Sequence, residues 1–182
     1  MTASLTGVLG AVNPLSVAVL ALVTLQRLGE LALARRNTRA LLARGAVEVA
    51  PRHYPAIVAV HGAWLIGLWL LAPWREASLA LLALYALLQI GRGWVLLTLG
   101  ERWTTRIIVL PGAPLVQSGP YRLFTHPNYA VVAGEILVLP LAFGLPAFAL
   151  AFSALNALAL WVRVRAEDAA LRGARHHGLA VR

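Results

Sequence analysis

The sequence predicts an all-α integral membrane protein of five transmembrane helices, N-terminus out and C-terminus in, with a structured cytoplasmic loop before the fourth helix. Three observations carry that expectation. Hydrophobic residues make up 60% of the 182-residue chain and charged residues 13%, and the mean hydropathy of +0.75 lies far outside the soluble range. The apolar residues gather into runs that match the roughly 20 helical residues needed to cross a hydrocarbon core of about 30 Å. The positive charges are all arginine, and those outside the runs fall on one side of the membrane, with Arg75 alone on the other. The length suits one bundle, a single domain over 1–182 without internal repeats or a low-complexity linker.

Met1 to Val12 is apolar with no basic segment before it, so no cleaved signal peptide is read there. Asn13-Pro14 starts the first span, as an N-cap followed by proline, and the span runs to about Ala34. Arg35, Arg36, Arg39, Arg44 and Arg52 then mark a cytoplasmic loop, with Gly45 as a helix stop. Pro55 to Ala72 is the second span. Pro73-Trp74-Arg75-Glu76 is a tight turn with the one outer arginine, and Ala77 to Leu99 is the third span. Gly100 to Thr125, punctuated by Pro111-Gly112, Pro114 and Gly119-Pro120, is the structured loop, and Arg102, Arg106 and Arg122 place it on the side of the first. Asn128 to Phe143 is the fourth span, Gly144-Leu145-Pro146 a break, and Ala147 to about Arg165 the fifth. Arg172, Arg175 and Arg182 keep the tail inside.

A net charge of +9 points to anionic lipid and positive-inside topology, not to nucleic acid, because the arginines flank apolar runs instead of interleaving with aromatics on a soluble surface. All-arginine usage fits a GC-rich bacterial genome, and hence an inner membrane. The chain lacks cysteine, which removes disulfides and thiolate metal sites. His176 and His177 stand without partner ligands, and no metal is expected.

Ionisable groups inside a span cost about 2.5–3.5 kcal/mol each on insertion scales, so each one needs a reason. Arg27 and Glu30, at i and i+3, read as a neutralised pair. Tyr85, Gln89 and Arg92 share a face beside Gly91 and Gly93, where another helix can approach closely. His61 reads as a hydrogen-bonded packing residue. Asn128 and Glu135 lie two turns apart on one face of the fourth span, and Asn156, Arg163 and Glu167 form a stripe on the fifth. Two helices joined by so short a break are antiparallel neighbours. Facing stripes would line a polar cavity at the cytoplasmic end, covered by the loop with His126.

Gly119-Pro-Tyr-Arg-Leu-Phe-Thr-His-Pro-Asn-Tyr129, followed by an apolar helix and by Arg163-x-x-x-Glu167-Asp168-x-x-Leu171, resembles the isoprenylcysteine carboxyl methyltransferase family. The resemblance covers the chain from about Gln89 to Leu171, and the first half resembles a bacterial branch that O-methylates alkylpyrone or alkylresorcinol lipids. It implies an S-adenosylmethionine-dependent methyltransferase acting on a lipophilic acceptor, either a prenylcysteine-type carboxylate or a polyketide-lipid hydroxyl, with the active site facing the cytoplasm. Carried over, Gly119, Tyr121, His126, Pro127, Tyr129, Arg163 and Glu167 would hold the cofactor. Arg163 or His126 suits its carboxylate and Glu167 its ammonium. Glu135 or His126 would act as general base for a hydroxyl acceptor, Asn128 and Asn156 would orient it or the acceptor, and Arg92 would stabilise an acceptor anion. After Glu167 the chain departs from the family pattern, since its tail has no tyrosine. A sterol-type NADPH reductase shares a His-Pro-Asn-Tyr element but carries its Glu closer to the tyrosine than Glu135 lies to Tyr129. A membrane scaffold without catalysis is the third alternative. Partners beyond the acceptor and membrane lipids, and the oligomeric state, are not legible.

Overall fold

The computed structural model describes residues 11–176. The expectations for the segment 1–10 and for His177 and Arg182 in the tail lie outside them. Five helices run in chain order: α1 (Pro14–Ala43), α2 (Tyr54–Leu71), α3 (Leu79–Leu99), α4 (Pro127–Ala142) and α5 (Pro146–His176). Four of them, α1, α2, α3 and α5, are long and apolar enough to cross a membrane, and α4 is a shorter apolar helix. The helix at the expected fourth span is thus the short one. The 16 residues of α4 reach about 24 Å, short of a hydrocarbon core of about 30 Å. Proline at its first turn and a glycine stop fix both ends. Half its positions are buried against its neighbours, so protein, not lipid, surrounds most of it.

The end of the first span is a correction. Its helix does not stop at Ala34 but continues to Ala43, so Arg35, Arg36 and Arg39 ride on helix rather than in a loop. Asn13 caps its start, accepting from the amides of Leu15 and Ser16 at 3.0 and 3.2 Å. At its end Ala46 N donates to Leu41 O at 3.1 Å and Gly45 N to Leu42 O at 3.0 Å, with Gly45 at φ +86°, the paired bonds of a Schellman stop. The same device ends α4: Leu145 N donates to Pro140 O and Gly144 N to Leu141 O, both at 3.0 Å, with Gly144 at φ +66°.

The helices are joined at one point by a short strand pair. Val47–Glu48 (β1) pairs antiparallel with Ile108–Val109 (β2), and Arg106 Nη1 donates to both Glu48 oxygens at 2.8 and 2.9 Å. This ladder ties the α1–α2 connection to the long loop before α4. Asn37, 2% exposed, secures the same end, its Nδ2 donating to Gly100 O at 3.1 Å and Trp103 O at 2.9 Å. At the opposite end the α1 start and the two short turns meet: Asn13 N donates to Pro73 O at 2.7 Å, Ser16 Oγ to Arg75 O at 2.7 Å, and Arg75 Nη1 to Gly144 O at 3.1 Å.

The core is apolar around Leu20, Leu68, Leu139 and Phe143. Gly91 faces Val131 and Gly134 faces Leu88, so α3 and α4 approach closely, whereas Gly93 meets nothing. Pro140 lacks the N–H that would bond Ile136 O, and the Trp64 indole donates to that carbonyl instead, at 3.3 Å. In hydrocarbon a freed backbone group needs such a replacement.

The polar part of the core is a cluster of four charges. Glu135, 1% exposed, accepts on Oε2 from Arg27 Nη2 at 2.7 Å and Arg92 Nη1 at 2.9 Å, and on Oε1 from Gln89 Nε2 at 2.7 Å. Glu30 accepts from Arg27 Nη1 at 3.2 Å, from Gln26 Nε2 at 2.9 Å and from Arg92 Nε and Nη2. The pair read at Arg27 and Glu30 is therefore half of a neutral quartet that joins α1, α3 and α4. Removing one member leaves an uncompensated buried charge. Glu135→Gln is expected to destabilise the detergent-solubilised protein by about 3–5 kcal/mol, and Asn37→Ala by about 1–3 kcal/mol, both checked by denaturant unfolding. An unchanged unfolding midpoint in Glu135→Gln would contradict this account of the core.

Candidate active site

The loop end of α4 begins at His126, which precedes Pro127 at the first helical turn. That start points Tyr129 toward α5, where Arg163 and Glu167 share a face at i, i+4. Tyr129 Oη donates to Glu167 Oε2 and accepts from Arg163 Nε at 2.8 Å. Arg163 Nη1 donates to Thr105 O at 2.7 Å, which fastens the loop to α5. The His126 ring stacks on Tyr129 with centroids 5.1 Å apart and planes at 18°. Among the described residues no carboxylate forms an ion pair with Arg163. Its guanidinium keeps donor capacity for an anion.

A cavity of about 250 Å³ opens beside this cluster. Tyr54, Thr105, Tyr129 and Arg163 form its loop-end rim, and Arg27, Glu30, Arg92 and Glu135 its polar wall. Ile57, Val58, Leu65 and Leu160 supply an apolar wall between α2 and α5. Val58 in that wall is 47% exposed, so the wall is not sealed by protein. Two residues lining the site each carry a buried polar atom without a partner among the described residues, Trp103 Nε1 and Asn128 Oδ1. A buried donor left unpaired costs about 1–3 kcal/mol, and a ligand that accepts from it recovers that cost.

The cavity brings together Asn128, Tyr129, Glu135, Arg92 and Arg163. His126 and Glu167 reach it through Tyr129. Gly119, Tyr121 and Pro127 do not line it. Gly119, at φ +56°, lies so close to Thr98 and Trp94 that a Cβ would collide with the Thr98 hydroxyl, so its place is set by packing of the loop on α3. Tyr121 packs on Ala34, Val95 and Trp103. Burial, and secondarily the Glu167 carboxylate, push its phenol up to about 12, which keeps it protonated. Asn156 stands behind the cavity wall, its Oδ1 3.3 Å from His61 Nε2.

Glu135 offers little to an acceptor proton, because both its oxygens already accept from Arg27, Arg92 and Gln89. Its geometry is that of an ion-pair keystone. His61, Trp103, Tyr54 and Thr105 line the site without having been singled out as site residues. The available signal was an imidazole within an apolar span at His61 and aromatic or hydroxyl side chains outside the read spans at the other three, all of which equally fit packing.

A sequence profile of the isoprenylcysteine carboxyl methyltransferase (ICMT) family matches residues 80–173, just over half of the chain. The uncharacterized protein YpbQ of Bacillus subtilis (strain 168) is 41% identical over 159 residues, which cover 85% of this chain and 95% of that relative. No solved structure matches the chain. The matched region runs from the third helix through the loop, α4 and most of α5, the segments that build the Tyr129–Arg163–Glu167 cluster, and the chain belongs to the isoprenylcysteine carboxyl methyltransferase family.

Proposed function

We propose that this membrane protein is an S-adenosylmethionine-dependent O-methyltransferase whose acceptor is lipophilic. The observation that carries the reading is the cavity itself: one space with an ion-binding rim at the loop end and an apolar wall that is not sealed by protein. The residues fit the methyl donor. Arg163, with spare donors and no carboxylate partner among the described residues, suits its carboxylate, and Glu167 suits its ammonium. The unpartnered Trp103 Nε1 and Asn128 Oδ1 suit its hydroxyl and adenine groups. When bound, the donor supplies an electrophilic methyl on a sulfonium.

The chain's own residues position and desolvate. Tyr129 holds Arg163 and Glu167 at fixed separation, and the loop, tied down by Asn37 and the Thr105 carbonyl, excludes water from the rim. Methyl transfer depends on such positioning. The acceptor's tail lies along Ile57, Val58 and Leu160, and its oxygen enters between rim and charge cluster. Carboxylates on prenylated groups and hydroxyls on alkylpyrone- or alkylresorcinol-type lipids both meet that description.

The described arginines support an orientation. Arg35, Arg36, Arg39, Arg44, Arg52, Arg102, Arg106 and Arg122 belong to the loop end and Arg75 alone to the other, so the rim faces the cytoplasm, in a bacterial inner membrane.

In calorimetric titrations of the detergent-solubilised protein, S-adenosylhomocysteine binds and NADPH does not. Arg163→Ala weakens that binding by about 10- to 100-fold, the value of one or two hydrogen bonds to a charged group, and Tyr129→Phe weakens it less. Unchanged affinity in both variants would remove the cofactor from this rim.

A further inference from the structure

We infer that His61 is the general base of the site and that the acceptor is accordingly a hydroxyl that must lose a proton, not a carboxylate already ionised. The inference rests on the methyltransferase reading above and deepens it. Of the side chains lining the cavity, His61 is the one nitrogen base. The two carboxylates of the wall, Glu30 and Glu135, are held by Arg27 and Arg92. Tyr54 and Tyr129 carry phenols that engage Thr105 at 3.0 Å and Glu167 respectively, and neither is a base. His126 is stacked on Tyr129 and does not line the cavity.

Asn156 sets the tautomer. It is 2% exposed, and its carbonyl oxygen faces His61 Nε2 at 3.3 Å. An amide oxygen only accepts, so Nε2 carries the hydrogen and Nδ1 is left with a free lone pair. No described side chain or backbone donor bonds to Nδ1. His61 stands seven residues after Tyr54 on α2, about 10 Å below the start of the helix at ~1.5 Å per residue, between the ionic rim and the charge cluster. A base there serves an acceptor that reaches in from the lipid side.

The step balances without another reactant. The acceptor O–H bond breaks and its proton goes to His61 Nδ1. The oxygen lone pair forms the new O–CH3 bond as the donor's S–CH3 bond breaks, and the sulfur keeps the electron pair and loses its positive charge. The imidazolium then returns its proton to water at the loop end. Arg27 and Arg92, which have more donors than the two glutamates use, lie in the same wall and favour the oxyanion as it forms. Asn156 acts through His61 and is a positioning residue.

The test uses alkylphenols of one chain length and graded acidity, together with an alkyl carboxylate of the same length. Wild-type protein methylates the phenols from labelled S-adenosylmethionine in preference to the carboxylate. His61→Gln lowers kcat about 100-fold on the least acidic phenol, the usual size of a general-base contribution, and the loss shrinks toward none as the phenol becomes acidic enough to ionise by itself. S-adenosylhomocysteine affinity stays at the wild-type value, which shows that the variant is folded. A readout without the methyl donor is an alkylated 4-nitrophenol. Bound to wild-type protein, it shows the phenolate absorption band below the pH at which it ionises in solution, and bound to His61→Gln it does not.

Asn156→Asp places a carboxylate against Nε2 and moves the acid limb of the pH profile to higher pH. The other charged groups facing His61 are Arg27 on α1, Arg92 on α3 and Glu135 on α4, with Arg163 of α5 in the same cavity. A loss equal across the phenol series, no loss at all, a phenolate band that survives in His61→Gln, or methylation of the carboxylate alone would overturn the inference. Absence of S-adenosylhomocysteine binding by wild-type protein would instead overturn the reading beneath it.

Discussion

Four charges in the interior of a membrane bundle persist only by neutralising one another, and that condition organises this protein. Arg27 and Glu30 come from α1, Arg92 from α3 and Glu135 from α4, and every guanidinium reaches both carboxylates. Desolvating such ions costs several kcal/mol each, and close pairing with further hydrogen bonds offsets that cost. Gln26 and Gln89 complete the set and bond each other at 2.7 Å. Slippage of any of the three helices by one residue would rotate its charge out of the cluster. The quartet therefore fixes rotational register in a bundle with an apolar core around Leu20, Leu68, Leu139 and Phe143, and it gives the cavity a polar wall deep below the loop.

The loop end follows a different logic. There the chain leaves hydrocarbon and backbone groups must find partners without regular spans. The β1–β2 ladder, Asn37 and Arg163 each satisfy carbonyls or amides of the long loop. Those bonds also hold Tyr54, Trp103 and Thr105 over the site. One set of interactions thus closes the rim around Trp103 and Asn128, each of which carries a buried polar atom without a partner among the described residues. The site has a polar rim toward water and an apolar wall toward lipid, as a donor that is soluble and an acceptor that is not would require.

Much of this was legible in the residues. Asn13-Pro14, Gly45 and Gly144 announced helix ends through capping chemistry that needs no tertiary information. The break at Gly144-Leu145-Pro146 forced α4 and α5 to be neighbours, which brought Tyr129, Arg163 and Glu167 together. The continuation of α1 past Ala34 was not legible from hydropathy, which records where the hydrocarbon ends and not where the helix does. A fall in apolarity at Arg35 is the same in either case. The ladder between Val47–Glu48 and Ile108–Val109 is too short to show alternation. Glu135 looked available for chemistry because its partner Arg27 lies on the first helix, far away in sequence. His61 looked like packing because its relation to Asn156 exists only once α2 and α5 are side by side.

The central claim is that the methyl donor occupies the loop-end rim of this one cavity. An experimental structure of the complex with S-adenosylhomocysteine tests it most directly. The account predicts density beside Tyr129 with the product's carboxylate on Arg163 and a polar atom within hydrogen-bond distance of Trp103 Nε1. Density in another part of the bundle, with Arg163 and Trp103 left as they are, would contradict it.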